Sequence, residues 1–332
     1  MAPNELKPAM SIEGLVREYK LEPHHMTARL TPATDLFVLA HLGIPEVTKE
    51  DWRLVIDGLV DNPLEIGFEE LLRCPKRVVE TVHQCAGSPM NPTAPTRQIA
   101  NVKWAGVDLR DLFSEAGVHS NATHVWAYGL DHGKFAGEDQ DFYLKDVPFS
   151  RVQAGDVLIA YELNDEPFSA KHGFPVRLVV PGYFGTNSVK WLNRLHVADG
   201  RASSIFTTRF YNDPVPESDA TKPVWEIAPE SVIVAPASDG EVKVGETEIW
   251  GWAWSSCEVE GVEVSTDGGL TWNQADIEPR SHRSWQRFSL RWLARQAGTH
   301  ELLSKATDAQ GQTQPLDGAR NAVYVISVTV ID

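Results

Sequence analysis

The chain is short of the features that mark several protein classes. It has only three cysteines in 332 residues, Cys74, Cys85 and Cys257, an odd and widely spaced set with no CxxC or Cys/His zinc spacing. That excludes a disulfide-stapled scaffold or a zinc finger and points to a reducing compartment with free thiols. No run of about 18 apolar residues occurs, so no membrane span is expected. The first residues, Met-Ala-Pro-Asn-Glu-Leu-Lys, lack the basic-then-apolar order of a secretory leader, and a cytoplasmic location is expected. Basic residues are outnumbered 30 to 46, giving a net charge of −16. Nucleic acid needs a dense basic surface, so it is not an expected partner. Any anion must be held by local cations, because the long-range field repels it.

What is present reads as two domains, on a prior of about 150 residues each. In the first part, strand patterns such as 52–60, 77–85, 123–128, 156–163 and 176–180 mix with helical patterns at 68–72 and 109–117. There is no regular βαβ rhythm, so the region is read as α+β. Pro214, Pro216, Pro223 and Pro229 among polar residues mark a linker. Domains of 1–222 and 223–332 are expected. The second is all strand: Glu248-Ile-Trp-Gly-Trp-Ala-Trp alternates, Asp267-Gly-Gly forms a hairpin turn, and about seven short strands suggest an immunoglobulin-like sandwich. Trp250, Trp252 and Trp254 are expected to be core and face residues of one strand rather than an electron path.

The chemistry is sought first at Val82-His-Gln-Cys-Ala-Gly87, where a thiol at a strand end precedes residues small enough for close backbone approach. A soft thiolate suits a thiophilic metal. A free cysteine is more often a small buried hydrophobe, and the residues alone leave both readings open. The surrounding blocks add to this. Val102-Lys-Trp-Ala-Gly-Val-Asp-Leu-Arg-Asp-Leu, His172-Gly-Phe-Pro-Val-Arg177 and Gly185-Thr-Asn-Ser-Val-Lys190-Trp-Leu come after Cys85 in that order, and Val264-Ser-Thr-Asp-Gly-Gly-x-x-Trp272 lies in the β region. Together they resemble the sulfite oxidase family of molybdenum-cofactor oxidoreductases, over most of the chain from about residue 35.

That resemblance implies a sulfite-oxidase-type molybdopterin-binding domain and an immunoglobulin-like dimerisation domain, hence a homodimer. It implies one molybdenum–molybdopterin per chain, with Cys85 as the metal's protein ligand. His41, Asp131, His172, Arg177, Ser188 and Lys190 fall where the family contacts pterin or phosphate. Arg and Lys suit a phosphate, and His and Asp suit pterin ring donors and acceptors. Tyr211 and Arg283 are the implied substrate-orienting residues. No haem segment is recognisable, so a separate electron acceptor is implied.

The chain departs from the family where substrate binds. Leu39 and Ala40 stand where the family has Arg and Asn before the His41 position, and Ser88-Pro89-Met90 replaces Asn-Arg-Arg after the ligand cysteine. Desolvating a dianion without paired charge is costly. The small-molecule substrate is therefore expected to be a weakly held sulfur oxyanion or a less charged organic compound, unless Arg209 or Arg97 restores the charge. The alternative is a non-catalytic cofactor-binding or assembly relative.

Overall fold

The structure is a computed structural model, and it describes residues 15–19, 21–88, 94–215 and 217–332. Strands dominate, and the four α-helices among the described residues are short, the longest being Leu109–Ala116. Two larger sheets build the N-terminal part, beside small two-stranded ones such as Val16–Glu18 with Val38–Ala40. One orders its strands Leu144–Pro148, His124–Gly129, Leu192–Ala198, Arg53–Gly58 and Leu64–Gly67. The other runs from Glu166–Pro167 through Leu158–Leu163 and Ile99–Asp108 to Lys76–Gln84, with Arg177–Val179 paired to Leu158–Leu163. A shared apolar core, including Trp52, Leu54, Ile56, Ile159, Leu178 and Leu195, lies between them.

The longest hairpin of the N-terminal part frames the cleft. Lys76–Gln84 pairs antiparallel with Ile99–Asp108 over nine positions, from Lys76↔Val107 to Gln84↔Ile99. β-Branched Val78, Val79, Thr81 and Val82 suit a pleated ladder. Gly106 allows the next strand to close on it, since a Cβ there would stand 2.1 Å from Ile159 O. The helix Leu109–Ala116 comes next, as the sequence suggests. Asp108 caps it by accepting from Arg110 N at 3.0 Å, and Gly117 ends it at φ +69°. Leu109, Leu112, Phe113 and Ala116 form its buried face.

The C-terminal part is a two-sheet sandwich. Glu230–Ala235, Gly245–Trp254, Gln286–Ala294 and Asp276–Ile277 form one sheet; Gly240–Lys243, Ile326–Ile331, Gly298–Asp308, Val259–Ser265 and Asn273–Gln274 form the other. Period-2 alternation on Gly245–Trp254 sends Ile249 and Ala253 into the sandwich core and Trp252 and Trp254 outward. Those tryptophans face the N-terminal part of the same chain. Trp252 stacks on Trp285 with ring centroids 4.8 Å apart and donates to Met26 O at 2.6 Å. Trp285 donates to Arg29 O at 2.9 Å, and Trp254 to Gln84 Oε1 at 3.0 Å. The core cluster they join also contains Val82, Ala86, Ile99 and Phe184, so the two parts share packing. Among the described residues no helix is long and apolar enough to cross a membrane.

Trp252→Ala should lower the unfolding free energy by about 3–5 kcal/mol, the usual cost of emptying a packed aromatic site. Urea unfolding monitored by tryptophan fluorescence measures it. A loss below about 1 kcal/mol would mean that this layer does not hold the parts together.

Candidate cofactor cleft

Cys85 sits one residue past the ladder, at the mouth of the long hairpin. Its N–H donates to Gln98 O at 2.9 Å, so its backbone is fixed as part of the strand. The chain then turns, Ser88 N–H donating to Cys85 O at 3.2 Å, and Gly87 N–H lies 3.4 Å from Sγ. The side chain is 7 % exposed. Burial pushes the thiol above its ordinary pKa; the Gly87 N–H and the more distant Arg17 and Arg320 act in the other direction. Strand alternation places His83 on the same face, where it stacks on Phe37 with centroids 5.4 Å apart.

Both side chains open onto one cleft. Of the nine residues nominated from sequence, eight line it: His41, Cys85, Asp131, His172, Arg177, Ser188, Lys190 and Tyr211. They come from separate strand ends and loops. Two glycines make the assembly possible. Gly173, at φ +109°, precedes the strand carrying Arg177, and a Cβ there would press within 3.2 Å of both Arg177 and Lys190. A Cβ on Gly129 would stand 2.5 Å from Asp131 Oδ1.

The electrostatics are lopsided. Arg177 is 3 % exposed, and burial alone pulls its pKa down, with no carboxylate offsetting it. Its Nη atoms donate to His172 O at 3.1 Å and Ser188 O at 2.9 Å, while Nε has no partner. Lys190 Nζ donates to Leu39 O at 2.9 Å and Lys171 O at 3.3 Å. Burial lowers Lys190 and raises Asp131, each against the pull of the other's charge. Asp131 Oδ1 is buried and unpartnered. His41 is pushed down to about 3 by burial, then by Lys190 and Lys145. His172 falls to about 4 through burial and Arg177. Neutral imidazoles are thus set among cations. Tyr211 Oη lies 2.6 Å from His41 Nε2, and its backbone is left-handed at φ +58°.

Arg283 is not brought to this cleft. Its guanidinium is spent between the two parts of the chain, on Asp156 through Nε and on Ser256 O at 3.2 Å. The candidate substitutes are occupied too: Arg209 pairs with Glu138 at 2.9 Å and Arg97 with Glu22 at 2.8 Å. Leu39 lines the cleft as an apolar residue. Pro89 and Met90 lie outside the described residues. Sequence reading missed His83, Tyr143 and Lys171, which also line the cleft; the i, i+2 spacing from Cys85 was the signal for His83. It also missed Arg320, whose Nη1 donates to Ala86 O at 2.6 Å from the far β part, a contact with no local signal. Among the described residues no group of three or more His, Cys, Asp or Glu could hold a metal. A metal at Cys85 would need further ligands from a cofactor.

The residues fit such a group: a buried cation with an unpartnered N–H and a buried carboxylate oxygen, in one cleft with a thiol, suit an anionic, hydrogen-bonding ligand. Residues 41–206 match the oxidoreductase molybdopterin binding domain, and 221–329 the Mo-co oxidoreductase dimerisation domain. The fold and cleft are thus those of a molybdopterin-binding oxidoreductase. Sulfite oxidase of Gallus gallus is 34% identical, the match covering 86% of this chain and 68% of that protein. Mitochondrial sulfite oxidase of Rattus norvegicus is 32% identical over 86% of this chain, which spans only 57% of the rat protein. The solved structure of the sulfane dehydrogenase SoxCD from Paracoccus pantotrophus superposes with a TM-score of 0.80 at 29% identity, covering 95% of this chain and 90% of that one. The chain belongs to the sulfite oxidase family.

The buried histidines give a test of the cleft without cofactor. A histidine whose folded pKa lies below its unfolded value of about 6.5 stabilises the fold above that pH, and the stability is lost as pH falls. For His172 the window runs from about 6.5 down to about 4. Between pH 6 and 5 the unfolding free energy of the unmodified chain should fall by about 1.2 kcal/mol more than that of His172→Asn. Taking the difference cancels the opposing contribution of Glu230, a buried carboxyl raised to about 7. Equal slopes would contradict a neutral, desolvated His172.

Proposed function

We propose that this chain is an oxidoreductase that holds molybdenum–molybdopterin with Cys85 as the protein's thiolate ligand, and that it moves an oxygen atom between water and a sulfur compound in a two-electron reaction. The observation that carries this reading is the pairing of a buried thiol with the unpartnered Arg177 Nε and Asp131 Oδ1 in one cleft. When bound, the cofactor supplies the redox and oxygen-transfer chemistry. Arg177 offers a directional donor and Lys190 a point charge for its phosphate, answering the problem an acidic chain poses for any anion. Asp131 accepts from ring N–H groups, and the Ser188 hydroxyl and neutral His172 supply further polar contacts. Burial makes the Cys85 thiol hold its proton, so metal binding is expected to release one. Tyr211, beside His41, would orient substrate.

For the substrate, Arg177 is the one arginine lining the cleft among the described residues, and it is committed to the cofactor end. Leu39 is apolar. This supports a less charged sulfur compound over free sulfite, and the likeness to a sulfane dehydrogenase favours sulfane sulfur. Two chains would associate through the C-terminal domain, as its family description suggests, and electrons would leave to a separate acceptor.

Protein made in a molybdenum-competent host should hold about one molybdenum per chain by elemental analysis; Cys85→Ser should hold little, and Arg177→Gln about 10–100-fold less tightly bound cofactor, the worth of a hydrogen bond to a charged group. Full molybdenum in Cys85→Ser, with an absorption spectrum identical to that of the unmodified protein, would remove the ligand assignment. The absorption spectrum should change faster on adding an organic persulfide than on adding sulfite, and Leu39→Arg should narrow that gap. A protein that prefers sulfite as it stands would contradict the substrate reading, and a loaded protein that neither compound reduces would favour a binding or assembly role.

A further inference from the structure

Behind the cleft wall lies a lysine with no part in holding the cofactor. Lys145 belongs to the strand Leu144–Pro148 and is 1 % exposed. Its Nζ donates to Phe206 O at 2.9 Å. An ammonium has three donors, and among the described residues no second oxygen accepts from this one. Its next neighbour is an aromatic face: Nζ stands 5.0 Å from the centroid of the Tyr211 ring. The adjacent carboxylate, Asp146, is engaged elsewhere, gripped by Arg201 at 2.8 and 3.0 Å. A buried charge with one hydrogen bond and no ion pair is expensive to keep, and such groups concentrate at functional sites.

The ring above Lys145 is itself held against resistance. Tyr211 has a left-handed backbone, φ +58°, which a bulky residue adopts only when its surroundings impose it. Its hydroxyl meets His41 Nε2 at 2.6 Å, and His41 packs between Tyr143, Phe135 and Phe206. Core lysine, strained tyrosine and cleft histidine thus form one continuous line of contacts.

We propose that Lys145 is a positioning residue for Tyr211: its ammonium, seated under the ring, holds the phenol against His41 and so fixes the hydroxyl that faces the cleft. The force is the attraction of a desolvated cation for an aromatic face. Helix capping at Phe206 O alone would need only one N–H and would place no requirement on the ring. The groups facing Lys145 are Phe206 from the short helix Ile205–Thr208, Tyr211 just after it, Asp146 and Arg201 as an opposed pair, and His41, whose protonation Lys145 disfavours. Burial lowers Lys145 to about 7. The ammonium is therefore the main form below neutrality, where the ring is held; deprotonation above it removes the attraction and releases the ring.

That Tyr211 orients a substrate rests on the proposed function, but its coupling to Lys145 does not. The test is the ¹³Cζ-tyrosine NMR spectrum of the full chain, with Tyr211 assigned by Tyr211→Phe, recorded from about pH 5.5 to about 8.5, a range centred on the Lys145 transition. The Tyr211 signal should shift through one transition near pH 7. Lys145→Met should abolish that transition, and Lys145→Arg should lock the signal at its low-pH position throughout. An unchanged Tyr183 signal reports that each variant is folded, and Lys145→Gln replaces Lys145→Met if the latter is not. A transition that survives Lys145→Met, or none in the unmodified chain, overturns the proposal. No molybdenum is needed, so failure of the metal assignment and failure of this coupling are read separately.

Discussion

An unpaired guanidinium in the protein interior is the constraint around which this fold is arranged. Arg177 is almost fully buried, receives no carboxylate, and leaves Nε unpartnered. Taking such a charge out of water costs several kcal/mol unless something answers it. Backbone carbonyls of His172 and Ser188 answer part of it. The Trp104 ring lies against the guanidinium at 4.9 Å, and Arg177 lines the cleft together with Lys190. The proposed anionic cofactor would complete the arrangement, and the nearby histidines stay neutral because burial and the surrounding cations both oppose further positive charge.

Bringing that charge and Cys85 into one cleft requires several chain segments to meet, and the sandwich part enters here. Gln84, the residue before Cys85, is gripped at both ends by the C-terminal sheet. Its Oε1 accepts from Trp254, and its Nε2 donates to the buried Glu230 at 2.6 Å. Glu230 also accepts from Thr96. Arg320 reaches the carbonyl after Cys85 from the same side. The tryptophan layer therefore does more than join two domains: it fixes the loop that presents the thiol. A buried polar network of this kind is stable only when every member is satisfied.

The sequence made legible what local pattern encodes. The helix Leu109–Ala116 was readable from its apolar spacing and terminal glycine, and the sandwich from its alternation and the Asp267 turn. Eight cleft residues were reachable because they sit in blocks resembling a family, in the right order. Arg283, assigned through the resemblance alone, lies outside the cleft, where Asp156, 127 positions away in sequence, competes for it in space. His83 announced itself only through the period of a strand. Lys145 and Arg320 were invisible, since nothing in their neighbours says that one underlies a tyrosine and the other reaches across a domain junction. The outward tryptophans looked like sandwich residues because alternation reveals two faces but not what covers each.

Everything proposed for the cleft turns on Cys85 supplying a sulfur to molybdenum. X-ray absorption at the molybdenum edge tests this most directly, on protein from a molybdenum-competent host. Three sulfur neighbours are expected, two from the cofactor and one from the chain, falling to two in any Cys85→Ser protein that retains metal. Molybdenum with the same sulfur count in both proteins would contradict the assignment.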